Sequence, residues 1–108
     1  MVKYLGEFEQ AVLLAVMRLG ESAYGLAIRK EIEAQTGRTV THGAAYITLD
    51  RLEAKELLSS RMADPDPDRG GRRKRFFRVT VEGMEALRVS RRALLNLWSG
   101  LEDVLEES

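Results

Sequence analysis

The sequence predicts a mainly α fold with a small β-hairpin, and three observations predict it. Apolar residues recur at helical spacing in four separate stretches. Between the third and fourth lies a turn-dense segment, ADPDPDRGG (63–71), which holds both prolines of the chain and separates two short segments of strand character. The last periodic stretch is the longest, and its apolar positions keep heptad spacing. The 108 residues suffice for one small domain, and a chain this short gains from burying surface against a partner subunit.

The first helix is expected over Glu7–Leu19. Phe8, Val12, Val16 and Leu19 share one face, and Ala11, Leu13, Leu14, Ala15 and Met17 add apolar surface around it. Such a helix is either a plain central core helix or one that also meets a second subunit. Gly20 is placed to end it. Ser22 is the expected N-cap of a second helix, from about Ala23 to Gln35, with Tyr24, Ile28 and Ile32 on its inner face. Gly25 near its start either lets a neighbouring helix come close or is simply tolerated. Gly37 supplies a left-handed stop.

Thr41 caps the third helix, about His42 to Lys55, in which Ala45, Leu49 and Leu52 face the core. Its other side carries His42, Gly43, Tyr46 and Ile47, then Asp50 and Arg51. Gly43, Ala44 and Ala45 make its start thin, so its backbone N–H groups can lie close to phosphates. Leu57–Met62 and Lys74–Thr80 are the two strands of the hairpin. The segment RGGRRKRFFRVT (69–80) brings six basic side chains, Arg69, Arg72, Arg73, Lys74, Arg75 and Arg78, with no acid among them. Thr80 caps a last helix running from about Val81 to at least Leu105. Met84, Leu87, Arg91, Leu94, Trp98, Leu101 and Leu105 form its seam, broken once by Arg91, while Gly100 either permits close packing or marks a bend.

Composition narrows the function. Lys and Arg number 17 and Asp and Glu 17, so the formal net charge is zero and the basic segment is a local feature. The absence of cysteine excludes disulfides, thiolate metal sites and Cys nucleophiles, and fits a cytoplasmic setting. The longest apolar run, Ala11 to Met17, is too short to span a bilayer, and the N-terminal residues lack the pattern of a signal peptide. There is one histidine, and neither a Ser/His/Asp set nor a phosphate-cradling loop is present. No enzymatic activity, metal or cofactor is expected.

Three helices followed by a basic, glycine-bearing hairpin is the element order of a winged helix-turn-helix, with a C-terminal dimerisation helix appended. The expected division is 1–80 for the DNA-binding domain and 81–108 for the dimerisation helix. The residues LGEFEQAVLLAVMRLG, AYGLAIRKEIE, GAAYITLDRLEAKELLSS and GGRRKRFFRVTVEG together resemble the PadR family of transcriptional regulators, over essentially the whole chain. The resemblance implies a dimeric repressor of the short form, bound as a homodimer to double-stranded DNA at a near-palindromic operator. In some members a small aromatic or cationic effector enters an apolar space at the dimer interface and releases the DNA. Two positions depart from the family pattern. Glu56 stands where Gly is usual, which would strain a left-handed turn. Phe76-Phe77 stand where Tyr is more usual, which removes hydroxyls that could reach phosphate.

The expected DNA-contacting residues are Thr41, His42, Gly43, Tyr46 and Arg51 from the third helix and Arg69, Arg72, Arg73 and Lys74 from the wing. For Tyr46 the competing reading is an amphipathic cover. For Arg51 it is pairing with Asp50 or Glu53, and for the wing cations a merely solvated face. Strand alternation makes Arg75 and Arg78 weaker candidates, with stems against apolar neighbours. The expected dimer interface is Met84, Leu87, Leu94, Trp98, Leu101 and Leu105. Trp98 is either dimer core or a platform for the ligand. The rival function is a winged-helix module that binds protein through the same surface and has no operator.

Overall fold

The computed structural model describes residues 4–64 and 73–106. Its elements are α1 (Glu7–Leu19), a 3-10 turn (Gly20–Ser22), α2 (Gly25–Thr36), α3 (His42–Ala54), β1 (Leu58–Met62), β2 (Arg75–Val79), α4 (Val81–Trp98) and α5 (Glu102–Glu106). The three N-terminal helices and the hairpin enclose one core. Val12, Leu13 and Val16 enter it from α1, Ile28 and Ile32 from α2, and Ala45, Leu49 and Leu52 from α3; Leu57, Leu58 and Phe77 close it from the wing. Apart from Leu13, which the spacing puts off the α1 stripe, these are the faces that the spacing predicts, with Phe8 and Leu19 partly buried at the ends of that stripe. Leu14 and Met17, on another side of α1, are exposed.

The start of α2 differs from expectation. Ser22 belongs to the 3-10 turn, and the residue before the helix is Tyr24, in extended conformation. The reason is tertiary. The Ala23 carbonyl accepts a hydrogen bond from the Phe77 N–H at 2.8 Å, and Tyr24 pairs antiparallel with Phe76. These two residues therefore bridge to β2 of the hairpin, and the helix begins only after them. At the other end Gly37 takes φ 74° and its N–H donates to the Glu33 carbonyl, the expected left-handed stop.

α3 is capped by Thr41, whose hydroxyl accepts from the Ala44 N–H at 3.1 Å. It ends in a Schellman motif. The Leu57 N–H donates to the Leu52 carbonyl and the Glu56 N–H to the Glu53 carbonyl, both at 2.9 Å. This geometry puts Glu56 at φ 64°, the strained position that its side chain foretells. The Glu56 carbonyl is held by the Thr80 hydroxyl at 2.7 Å, and the Leu57 carbonyl by the Thr80 N–H at 3.2 Å. Thr80 thus ties the entry of the wing to its exit, and its hydroxyl also caps α4 through the Gly83 N–H. Gly83 is buried there; a side chain at this position would overlap the Leu57 carbonyl oxygen.

In the hairpin Leu58 pairs with Val79, Ser60 with Phe77 and Met62 with Arg75, which sets these six on one face. Ser59, Arg61, Phe76 and Arg78 lie on the other. The last helix does not run unbroken to Leu105 as its seam predicts. α4 ends at Trp98, Gly100 takes φ 86°, and the Leu101 N–H turns back to the Trp98 carbonyl at 2.7 Å. Gly100 therefore breaks the helix, and Leu101 and Leu105 lie beyond the break. The N-terminal segment is pinned to α4 by a buried bond, Leu5 N–H to Ser90 Oγ at 2.9 Å.

Candidate nucleic-acid interface

The outward side of α3 is bare. His42, Gly43, Ala44, Ile47, Asp50 and Arg51 are exposed, and nothing lies within 4 Å of the point a side chain at Gly43 would occupy. The capped start of the helix is therefore open to close approach from outside. Tyr46 behaves differently from its neighbours. It is half-buried against the core, and its hydroxyl fills the space that a side chain at Gly25 would need. Gly25 is thus the close approach of α2 to α3, with Tyr46 as the group it admits. His42 lies against the Tyr46 ring, centroids 4.4 Å apart.

The wing is fastened to this helix pair by cations laid on rings. Lys74 Nζ sits 3.7 Å above the centroid of Tyr24, Tyr24 meets Phe76 edge-on at 5.8 Å, and the Arg61 guanidinium lies 5.0 Å from the Phe76 centroid. The phenyl rings at 76 and 77 serve as platforms for arginine. Arg75 lies over Phe77 and reaches α3, where it pairs with Asp50 at 2.9 Å and with Glu53, and donates to Ser60 Oγ. Burial pulls the Arg75 pKa down, but its bonds to Asp50 and Glu53 outweigh this and raise it above its ordinary value. Arg75 therefore stays charged and sets a cation against two carboxylates beside the outward face of α3.

Of the expected wing contacts, Arg73 is exposed and Lys74 is half-buried on Tyr24. Arg69 and Arg72 lie outside the described residues. Arg51 is exposed on α3, and among the described residues it has no ion pair with Asp50 or Glu53. Arg75, expected to lay its stem against apolar neighbours, lies on Phe77; its ion pairs with Asp50 and Glu53 are what the strand pattern alone did not indicate. Its signal was present: strand alternation turns it to the Phe77 side, and Asp50 and Glu53 lie one helical turn apart on α3, spaced to share one guanidinium.

The second surface is at the end of α4. Met84 is half-buried and Leu87 packs on the protomer's own core. Beyond Ser90, Leu94, Leu95, Leu97, Trp98, Leu101 and Val104 are 41–73% exposed. Beside them a groove of about 730 Å³ runs between α1, α2 and α4, lined by Leu5, Ala11, Leu14, Ile32 and Leu94 among others.

Comparison with known proteins supplies the family. The model of the "Transcriptional regulator PadR-like family" matches residues 13–89. The chain belongs to the PadR-like family. PadR-like regulators bind DNA through a winged helix, and the chain is a DNA-binding transcriptional regulator of this kind. A search of curated proteins found no match. Among solved structures, a PadR family transcriptional regulator from Eggerthella lenta is similar at 29% identity, with 94% of this chain and 88% of that one covered and a TM-score of 0.67. A PadR-like transcriptional regulator from Bacillus cereus shares the fold at TM-score 0.72 and 17% identity, covering 91% and 90%. A PadR family regulator from Clostridium difficile does so at 0.66 and 21%, covering 93% and 96%. No helix among the described residues is long and apolar enough to cross a membrane.

Proposed function

We propose that this PadR-like protein is a cytoplasmic, homodimeric repressor. It binds a pseudo-palindromic operator with the two copies of α3 in successive major grooves, about one DNA turn apart. Thr41, His42, Gly43 and Arg51 meet the duplex at the start and middle of α3. Arg69, Arg72, Arg73 and Lys74 follow the backbone or minor groove. Tyr46 contributes through its packing on Gly25, which sets the depth at which α3 is presented. The surfaces around Leu94, Trp98 and Leu101 join the two protomers, with Met84, Leu87 and Leu105 at the margins of the seam. A small aromatic or cationic effector enters beside Trp98 and loosens the dimer's grip on DNA.

The observation that carries this reading is the pairing of two bare surfaces. The outward face of α3 lies open beside charged side chains, and large apolar side chains from Leu94 to Val104 are exposed at the far end of α4. A monomeric soluble domain rarely leaves such an apolar patch. The test combines sedimentation with DNA binding at several salt concentrations. The expected result is a dimer at micromolar protein whose affinity for duplex falls steeply with salt, because phosphate contacts release counterions. A monomer, or an affinity indifferent to salt, would sink the proposal. Arg72→Ala with Arg73→Ala separates it from a protein-binding module: affinity should fall on every duplex tested.

A further inference from the structure

The outward stripe of α3 runs through Gly43, Ile47, Asp50, Arg51 and Ala54, and its middle is apolar. Ile47 is 60% exposed, on a helix whose other large aliphatic residues, Leu49 and Leu52, are fully buried. The core has no use for this side chain. Its neighbours on the stripe are small: Gly43 opens to empty space and Ala44 is exposed. Two of the polar groups nearby have partners. Asp50 is held by Arg75 at 2.9 Å, and the His42 ring lies on Tyr46. The ion pair with Arg75 offsets the negative charge of Asp50, which eases the approach of a polyanion to the stripe. The stripe also carries Arg51, which is exposed, so its complement is a polyanion that shows an apolar group at the centre of its contact surface. In the major groove that group is the C5-methyl of thymine.

We propose that Ile47 is a specificity-determining residue that reads a thymine methyl group at the centre of each operator half-site. The proposal rests on the DNA-binding reading and narrows it. Gly43 and Ala44 let the helix sink until Ile47 reaches the base edge. The Arg75 ion pair offsets the charge of the neighbouring Asp50 carboxylate. Recognition at this position is then by shape and apolar contact, without a hydrogen bond.

The test needs the full chain and an operator recovered by selection from random duplexes. Each thymine is replaced in turn by uracil, which removes the methyl and leaves the pairing intact. For the wild type, one symmetry-related pair of positions should respond, with a loss of about fourfold per methyl, the effect expected for one buried methyl group. Ile47→Ala should bind the thymine and uracil duplexes equally, at the weaker affinity, while Ile47→Val keeps most of the preference. Ile47 is largely exposed, so both variants should unfold at the wild-type temperature. Indifference of the wild type to every uracil replacement overturns the proposal. So does a thymine preference that survives in Ile47→Ala. Failure to bind any duplex would instead overturn the DNA-binding reading, and this inference with it.

Discussion

The two halves of α4 carry the same apolar rhythm into opposite surroundings. From Val81 to Ser90 the helix lies on the protomer's own core: Gly83, Ala86 and Ser90 are buried, Leu87 packs beside them, and Ser90 holds the N-terminal segment through Leu5. From Leu94 onward the seam continues, but its large side chains lie exposed. Spacing is blind to this difference, because a heptad pattern says that one face is to be covered and not by what. The near half is held by its own chain. The far half has its apolar face turned outward, as a surface for a second copy would be.

The comparison breaks most visibly at the far end. Leu94→Asp with Leu101→Asp should leave the protomer folded, with its circular dichroism unchanged, yet give a monomer by sedimentation. Operator affinity should fall by roughly a hundredfold or more, since the second half-site no longer binds as part of one body. Unchanged affinity would mean that the far half is not an interface. The near half should respond in the opposite sense. Gly83→Ala forces a methyl into the Leu57 carbonyl, which is backbone and cannot move aside. It should cost about 1–3 kcal/mol in denaturant unfolding, with the loss as large in the monomeric variant as in the wild type. If Gly83→Ala unfolds like the wild type, the join between wing and helix is looser than described.

How much of this the residues announced depends on which force decides each element. Helix faces were legible because burial alone sets them: Val12 and Val16, Ile28 and Ile32, Ala45, Leu49 and Leu52 all lie where periodicity puts them. Caps with a local mechanism were legible too, as at Thr41, Gly37 and Thr80. The start of α2 was not, because a helix signal at Ser22 lost to pairing between residues far apart in the chain, Tyr24 with Phe76 and Ala23 with Phe77. The break at Gly100 was one of two open readings, because the apolar seam continues through it to Leu105. In the candidate interface the exposed face of α3 was expected. The seating of Lys74 on Tyr24 and the pairing of Arg75 with Asp50 and Glu53 were not, since they depend on which ring or acid each cation meets across the fold.

A gentler change sharpens the contrast at the join itself. Glu56 holds a left-handed conformation between α3 and the wing, and its side chain makes that conformation costly. Glu56→Gly should relieve it and raise stability by about 0.5–1 kcal/mol, the relief being partly offset by the greater freedom of glycine in the unfolded chain. The gain should appear in protomer unfolding and leave the dimer equilibrium untouched. A loss of stability on this substitution would show that the turn is held by contacts of the Glu56 side chain rather than strained by it.

The smallest expected effect concerns the first turn of α1, which belongs wholly to the near half. Burial pushes the Glu9 carboxyl up, but the Gly6 N–H at its oxygen and the Lys55 ammonium at 2.9 Å outweigh this and set it below its ordinary value of 4.5. A carboxyl whose folded pKa is depressed stabilises the fold above its unfolded value and loses that contribution as pH falls through the folded one. Glu9→Gln should therefore cost about 0.5–1 kcal/mol at neutral pH, the scale of an acid at a helix N-terminus. The deficit should shrink through the acid range below 4.5, where the wild-type carboxyl is itself protonated. Because Glu9 ties α1 to the end of α3 through Lys55, the same deficit should appear in the monomeric Leu94→Asp, Leu101→Asp background. Urea unfolding of the four proteins at neutral and acid pH decides it: a deficit independent of pH would assign Glu9 a packing role and leave no part for its charge.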